Sequence, residues 1–103
     1  MQTGDTPLID AVWGGRADEV TALLAGGADA NKPKTDGSGV TPLFIACEDG
    51  HTETATALIA AGAKVNQAAD GGATPLFFAC RKGHTEIAAA LIAAGAKVNQ
   101  ADV

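Results

Sequence analysis

Apolar residues fall along this chain in two settings that alternate three times. A Thr-Pro-apolar start (Thr6-Pro7-Leu8, Thr41-Pro42-Leu43, Thr74-Pro75-Leu76) opens a short apolar run, and Gly15, Gly50 and Gly83 each arrive nine residues after the threonine. Threonine before proline reads as a helix N-cap followed by proline at the first helical position, where its missing N–H is not needed. Glycine then closes that helix. A second segment follows each turn, predicted as helix over Asp18 to Ala25, Glu53 to Ala61 and Glu86 to Ala94. Carboxylates occupy its first turn, and Gly27, Gly62 and Gly95 stand just past its end, as the helix dipole and C-capping favour. Val20, Leu23 and Leu24, and likewise Ala55, Leu58 and Ile59, mark its buried stripe.

Neither helix is long enough to stand alone, so each pair must bury its face on a neighbour. The 26-residue blocks 6–31, 41–66 and 74–99 align without a gap. Thr41 to Thr74 spans 33 residues and Thr6 to Thr41 spans 35, the two extra residues falling in the connector 32–40. A period near 33 residues marks a stacked-repeat architecture, with the insertion at a loop tip, where a stacked unit tolerates it.

These blocks resemble ankyrin repeats, with the pattern Gly-x-Thr-Pro-Leu-x-x-Ala, then Gly-His-x-Glu, then Leu-Leu/Ile-x-x-Gly-Ala-x-Val-Asn, over nearly the whole chain. The resemblance implies an all-α solenoid of three stacked helix-turn-helix units with projecting hairpin-like loops. It divides a single domain, 1–103, into repeats at about 4–36, 37–69 and 70–103. It also implies a protein-binding module and not an enzyme. Departures from the family pattern are informative. Ile9, Phe44 and Phe77 stand where the family usually has His after Thr-Pro-Leu, which predicts some loss of stiffness in the loops. Arg16 replaces the first Gly-His histidine, Ala30 replaces a valine, and Ala55 and Ala88 thin the outer layer.

The ends of such a stack need polar faces. Arg16, Asp18, Glu19 and Thr21 fit an N-terminal cap, whereas the last unit ends Ile87-Ala88-Ala89-Ala90-Leu91-Ile92-Ala93-Ala94 and stops at Val103 without a capping block. That open end implies either a fragment of a longer array or self-association into a homo-oligomer.

The second and third blocks differ at five positions: Ile45/Phe78, Glu48/Arg81, Asp49/Lys82, Thr54/Ile87 and Thr56/Ala89. On the ankyrin plan the charge swap lies at the inner-helix ends, either as a solvated, balanced face or as partner contact. By the same plan the binding surface maps to Trp13 and Gly14, then Gly37, Ser38, Val40, Glu48 and Asp49, then Asp70, Gly71, Ala73, Arg81 and Lys82. Trp13, the single tryptophan of the chain, reads either as the energetic anchor of that surface or as a residue packed on the next inner helix near Glu48. Phe44, Phe77 and Phe78 extend an apolar stripe or fill the core, the core being the expectation for Phe78. The small tip residues offer little grip, which argues against a tight natural partner.

Composition narrows the function classes. Hydrophobic residues make up 47% of the chain, and 12 carboxylates stand against 7 basic residues for a net charge of −5. With no Lys/Arg run there is no footprint for phosphate backbones or anionic lipid, and no apolar stretch approaches the roughly 20 residues of a membrane helix. Met1-Gln2-Thr3-Gly4-Asp5 lacks the start of a signal peptide, so a cytoplasmic or nuclear location is expected. Cys47 with His51 and Cys80 with His84 superficially resemble paired zinc ligands, but both histidines are the family's turn residues and both cysteines take a small buried helix position. Equivalent atoms of stacked repeats lie about 10 Å apart, beyond the roughly 7 Å between Cα atoms a disulfide spans, so both thiols are expected free. Gly37-Ser38-Gly39 and Gly71-Gly72 lack the lysine and strand context of a phosphate loop. No metal, cofactor or catalytic residue is expected. Beside the binding module stands an engineered or consensus-like scaffold without an evolved partner, which near-identical consecutive repeats also fit.

Overall fold

Threonine caps set the first helix of every unit. In the computed structural model, which describes residues 6–96, the Oγ1 atoms of Thr6, Thr41 and Thr74 accept from the backbone N–H of Ile9, Phe44 and Phe77 at 3.1, 3.4 and 3.3 Å. Proline follows each cap at the first helical position. The helices so started are α1 (Pro7–Trp13), α3 (Pro42–Asp49) and α5 (Pro75–Arg81). Their partners are α2 (Ala17–Ala25), α4 (Thr52–Ala60) and α6 (Thr85–Ala93). The latter begin one residue earlier than the carboxylate signal suggests, because Arg16, His51 and His84 take the cap position without a side-chain cap bond. Two of them also end one residue earlier. Ala61 and Ala94 already turn out of the helix, with the Ala63 and Ala96 N–H groups bonding back to the Leu58 and Leu91 carbonyls at 3.0 and 2.9 Å. That six-to-one bond satisfies carbonyls the helix end leaves open.

Each pair packs internally, α1 on α2, α3 on α4 and α5 on α6, and then on its neighbours in two rows, α1–α3–α5 and α2–α4–α6. Among the described residues there is no strand; one 3-10 turn covers Asp70–Gly72. The connectors are nevertheless hairpin-like, closed by Lys34 N–H to the Val40 carbonyl at 2.8 Å and by Ala69 N–H to the Ala73 carbonyl at 2.9 Å. The start Met1–Asp5 and the third block's Lys97, Val98 and Asn99 lie outside the described residues. No helix among the described residues is long and apolar enough to cross a membrane.

One continuous core runs through the stack, from Leu8, Ile9 and Val12 through Val20, Leu43, Ile45 and Leu58 to Leu76, Ile87 and Leu91. Of the three apolar residues that replace the family's loop histidine, Ile9 is part of this core, Phe44 is buried beside it, and Phe77 is exposed. The Phe44 ring meets Phe78 of the next unit edge-on, with centroids 4.6 Å apart. Apolar area between units takes the place of a polar tie, a contact of about 0.5–1.5 kcal/mol beyond burial for such an aromatic pair.

Candidate interaction surface

The units are stitched by two polar devices, and these align everything exposed. Asn31 reaches into the second unit: its Nδ2 donates to the Gly62 carbonyl at 3.2 Å and its Oδ1 accepts from the Lys64 N–H at 2.7 Å. Asn66 repeats the first bond toward Gly95 at 3.2 Å. The second device is histidine. His84 Nε2 lies 3.2 Å from the Glu48 carbonyl oxygen; a carbonyl only accepts, so the ring carries its proton on Nε2. The same ring presses on Gly50, where an added Cβ would stand 2.6 Å from its Cε1, as His51 presses on Gly15 at 2.9 Å.

With register fixed, the ends of the three inner helices form one exposed row. Trp13, Glu48 and Arg81 are equivalent positions, as are Gly14, Asp49 and Lys82, and all six residues are exposed. The row runs from aromatic through acidic to basic, one step per unit. Among the described residues no ion pair within 4.0 Å links Glu48 or Asp49 to Arg81 or Lys82; the Asp49 carboxylate instead has the His51 ring beside it, Nε2 lying 3.8 Å from Oδ2. The opposite charges therefore face solvent unneutralised by each other.

Trp13 is not a core residue. It is 49% exposed, and the Lys34 ammonium sits 5.3 Å from its ring centroid, an exposed cation–π contact of about 0.5–1 kcal/mol. Lys34 Nζ is also 3.9 Å from the Asp36 carboxylate. At the first loop tip the Ser38 hydroxyl and then its N–H, 2.9 Å from Asp36 Oδ1, hold the Asp36 carboxyl below its ordinary value. Gly37 is fully open, whereas Ser38 and Val40 are half-buried, Val40 against the core. The second tip carries Asp70 and Gly71 in its 3-10 turn, with Ala73 half-buried behind it. The site residues named from sequence thus divide into an outward row, the loop-tip residues Gly37, Ser38, Asp70 and Gly71, and two loop residues, Val40 and Ala73, whose carbonyls close the hairpins. Lys34 went unnoticed in the sequence because the connector holding it does not repeat. Asn31 carried a signal, its recurrence at fixed offset as Asn66 and Asn99.

Cys47 is buried and Cys80 exposed, both unpaired, and burial pushes the Cys47 thiol up to about 12. Phe77 is exposed and touches Phe78, centroids 5.6 Å apart.

A sequence-family model for ankyrin repeats in three copies matches residues 8–102. The chain belongs to the ankyrin-repeat family. Its fold is similar to the crystal structure of the human ASB11 ankyrin repeat domain, with a TM-score of 0.82 and 38% sequence identity. That match covers 89% of this chain and 41% of the other, so the chain spans less than half of that repeat domain. No curated protein sequence matches the chain. Ankyrin repeats are in general protein–protein interaction modules, a non-catalytic fold, and the described architecture is the all-α solenoid of that family.

Proposed function

We propose that this ankyrin-repeat protein binds a protein partner through the row Trp13-Gly14, Glu48-Asp49 and Arg81-Lys82 together with the tips at Gly37-Ser38 and Asp70-Gly71. The observation that carries this reading is the row itself: three equivalent, outward positions with three different chemistries, the change from Glu48-Asp49 to Arg81-Lys82 falling between second and third units that differ at only three other aligned positions. A scaffold selected only for folding has no need of that change. Complementarity then asks of the partner an apolar contact, a basic group and an acidic group in that order, with Trp13 as anchor. Nucleic acid and membrane are not part of the reading, which the net charge of −5 supports. A cytoplasmic or nuclear setting suits the two unpaired thiols.

The test is affinity capture with the immobilised chain, run beside Trp13→Ala and a Glu48→Arg/Arg81→Glu charge reversal. Partners retained by the chain and lost from both variants support the surface. Partners that ignore both variants, or none at all, would leave the consensus-like scaffold as the better account.

A second surface is marked by Phe77 and Ile92 of the third unit, exposed apolar side chains of large area that either a following unit or another copy of the chain would cover.

A further inference from the structure

The two connectors close by the same bond and differ in what they carry. Lys34 N–H meets the Val40 carbonyl at 2.8 Å and Ala69 N–H the Ala73 carbonyl at 2.9 Å, with residues 35–39 between the first pair and 70–72 between the second. The two extra residues therefore lie inside the first hairpin. There Asp36 uses both oxygens: Oδ1 accepts from the Ser38 N–H at 2.9 Å, and Oδ2 lies 3.9 Å from Lys34 Nζ. The Ser38 hydroxyl in turn accepts from the Val40 N–H at 3.2 Å. The hairpin bond fixes the root of the Lys34 side chain, and the Asp36 carboxylate draws on its head.

That head stands over Trp13, 5.3 Å from the ring centroid. The Lys34 side chain is only 20% exposed, whereas Trp13 keeps 49% of its surface open. At the equivalent hairpin position Ala69 carries no charge, and the row residue of that unit is Glu48. Tryptophan is the best of the aromatic rings for a cation, and Trp13 stands one step along the row from the carboxylates of Glu48 and Asp49. A partner's basic group would otherwise find two places, the ring and the acidic step, and so two registers. Lys34 fills the first.

We propose that Lys34 is a specificity residue of the interaction surface: it occupies the place on the Trp13 ring that a cation would take, leaves the open part of the ring to an apolar group, and sends a partner's basic group to Glu48-Asp49. This rests on the reading of the row above and adds the element that fixes its register. Specificity comes from blocking the wrong contact as well as from offering the right one. A foreign cation would have to displace the Lys34 ammonium or lie beside a like charge, which is disfavoured. With the ammonium removed and Asp36 kept, refusal turns into attraction, because an open indole near a carboxylate suits a cation.

Tetramethylammonium chloride, a cation without hydrogen-bond donors, tests this on the full chain, with the NMR shift of the Trp13 indole N–H as readout and sodium chloride as the control for ionic strength. The variants are Lys34→Met, which keeps the stem and the backbone bond, and Lys34→Arg, each checked for fold by circular dichroism; Lys34→Gln gives the same reading should Lys34→Met not fold. Lys34→Met should bind the probe about two- to fivefold more tightly than the unaltered chain, and Lys34→Arg should match the unaltered chain. tert-Butanol, an uncharged analogue of similar size, should titrate the unaltered chain and Lys34→Met alike. Equal titration of the two by the cation, no response of Lys34→Met to it, or a gain that tert-butanol shares overturns the proposal. The probe needs no partner, so that failure leaves the row to be judged by capture with Trp13→Ala. A failed capture beside a positive titration overturns the row and leaves Lys34 as the occupant of the ring.

Discussion

Gly50 and Gly83 offer a paired experiment on what holds the stack together. Both close an inner helix with φ of +78°, yet an added Cβ at Gly50 meets His84 Cε1 at 2.6 Å while at Gly83 it meets nothing within 4 Å. Replacing either glycine by alanine incurs the same left-handed backbone cost, about 1–2 kcal/mol. Only Gly50→Ala also displaces the next unit's histidine. That puts at risk the His84–Glu48 hydrogen bond of 3.2 Å, about 0.5–1.5 kcal/mol, and the ring packing around it. The expected totals are about 1–2 kcal/mol for Gly83→Ala and about 2–4 kcal/mol for Gly50→Ala. Denaturant melts read both, and a thermal melt should separate the variants by about 4–8 °C for each kcal/mol of difference. Because an end unit can fray and dilute its own penalty, a double-mutant cycle of Gly50→Ala with His84→Ala supplies the internal control. Its coupling should be about 1 kcal/mol, the second change relieving the first. Equal costs for the two glycine variants together with zero coupling would refute the reasoning that histidine on glycine is a stacking contact.

Three further outcomes are expected. Leu58→Ala should destabilise by about 2–5 kcal/mol and unfold the whole chain, since α4 lies between α2 and α6; Leu91→Ala, equally buried but on a helix with one outer-row neighbour, should fray the end, and equal losses in denaturant melts would contradict this. Asn31→Ala removes two bonds to the second unit and leaves the Lys64 N–H unpaired, for a loss of about 1–3 kcal/mol, which amide exchange at Lys64 and a melt both report. A thiol reagent at mildly alkaline pH should label Cys80 alone, because burial holds the Cys47 thiol near 12 and the thiolate is the reactive form; two labels should appear only after denaturation.

The units, their helices and their order were legible in the chain because their signals are local. A Thr-Pro cap, a glycine in left-handed backbone and an apolar stripe each act within about one turn of helix, and threefold recurrence separates them from chance. The N-terminal cap was legible for the same reason: Arg16 and Glu19 are three residues apart and pair on one helix end. What joins unit to unit was legible only as recurrence, without the partners it meets. Asn31 meets Lys64 at a separation of 33 residues, and His84 meets Glu48 at 36. Lys34 meets Trp13 across a connector that repeats nowhere else. Even Phe44 and Phe77, the same residue in the same motif, part company in the fold, one sealed at a seam and the other open at the end. Sequence determined which residues could stack, since helix starts and stops depend on near neighbours. Tertiary structure alone decided which were covered, since burial depends on what stands on the other side.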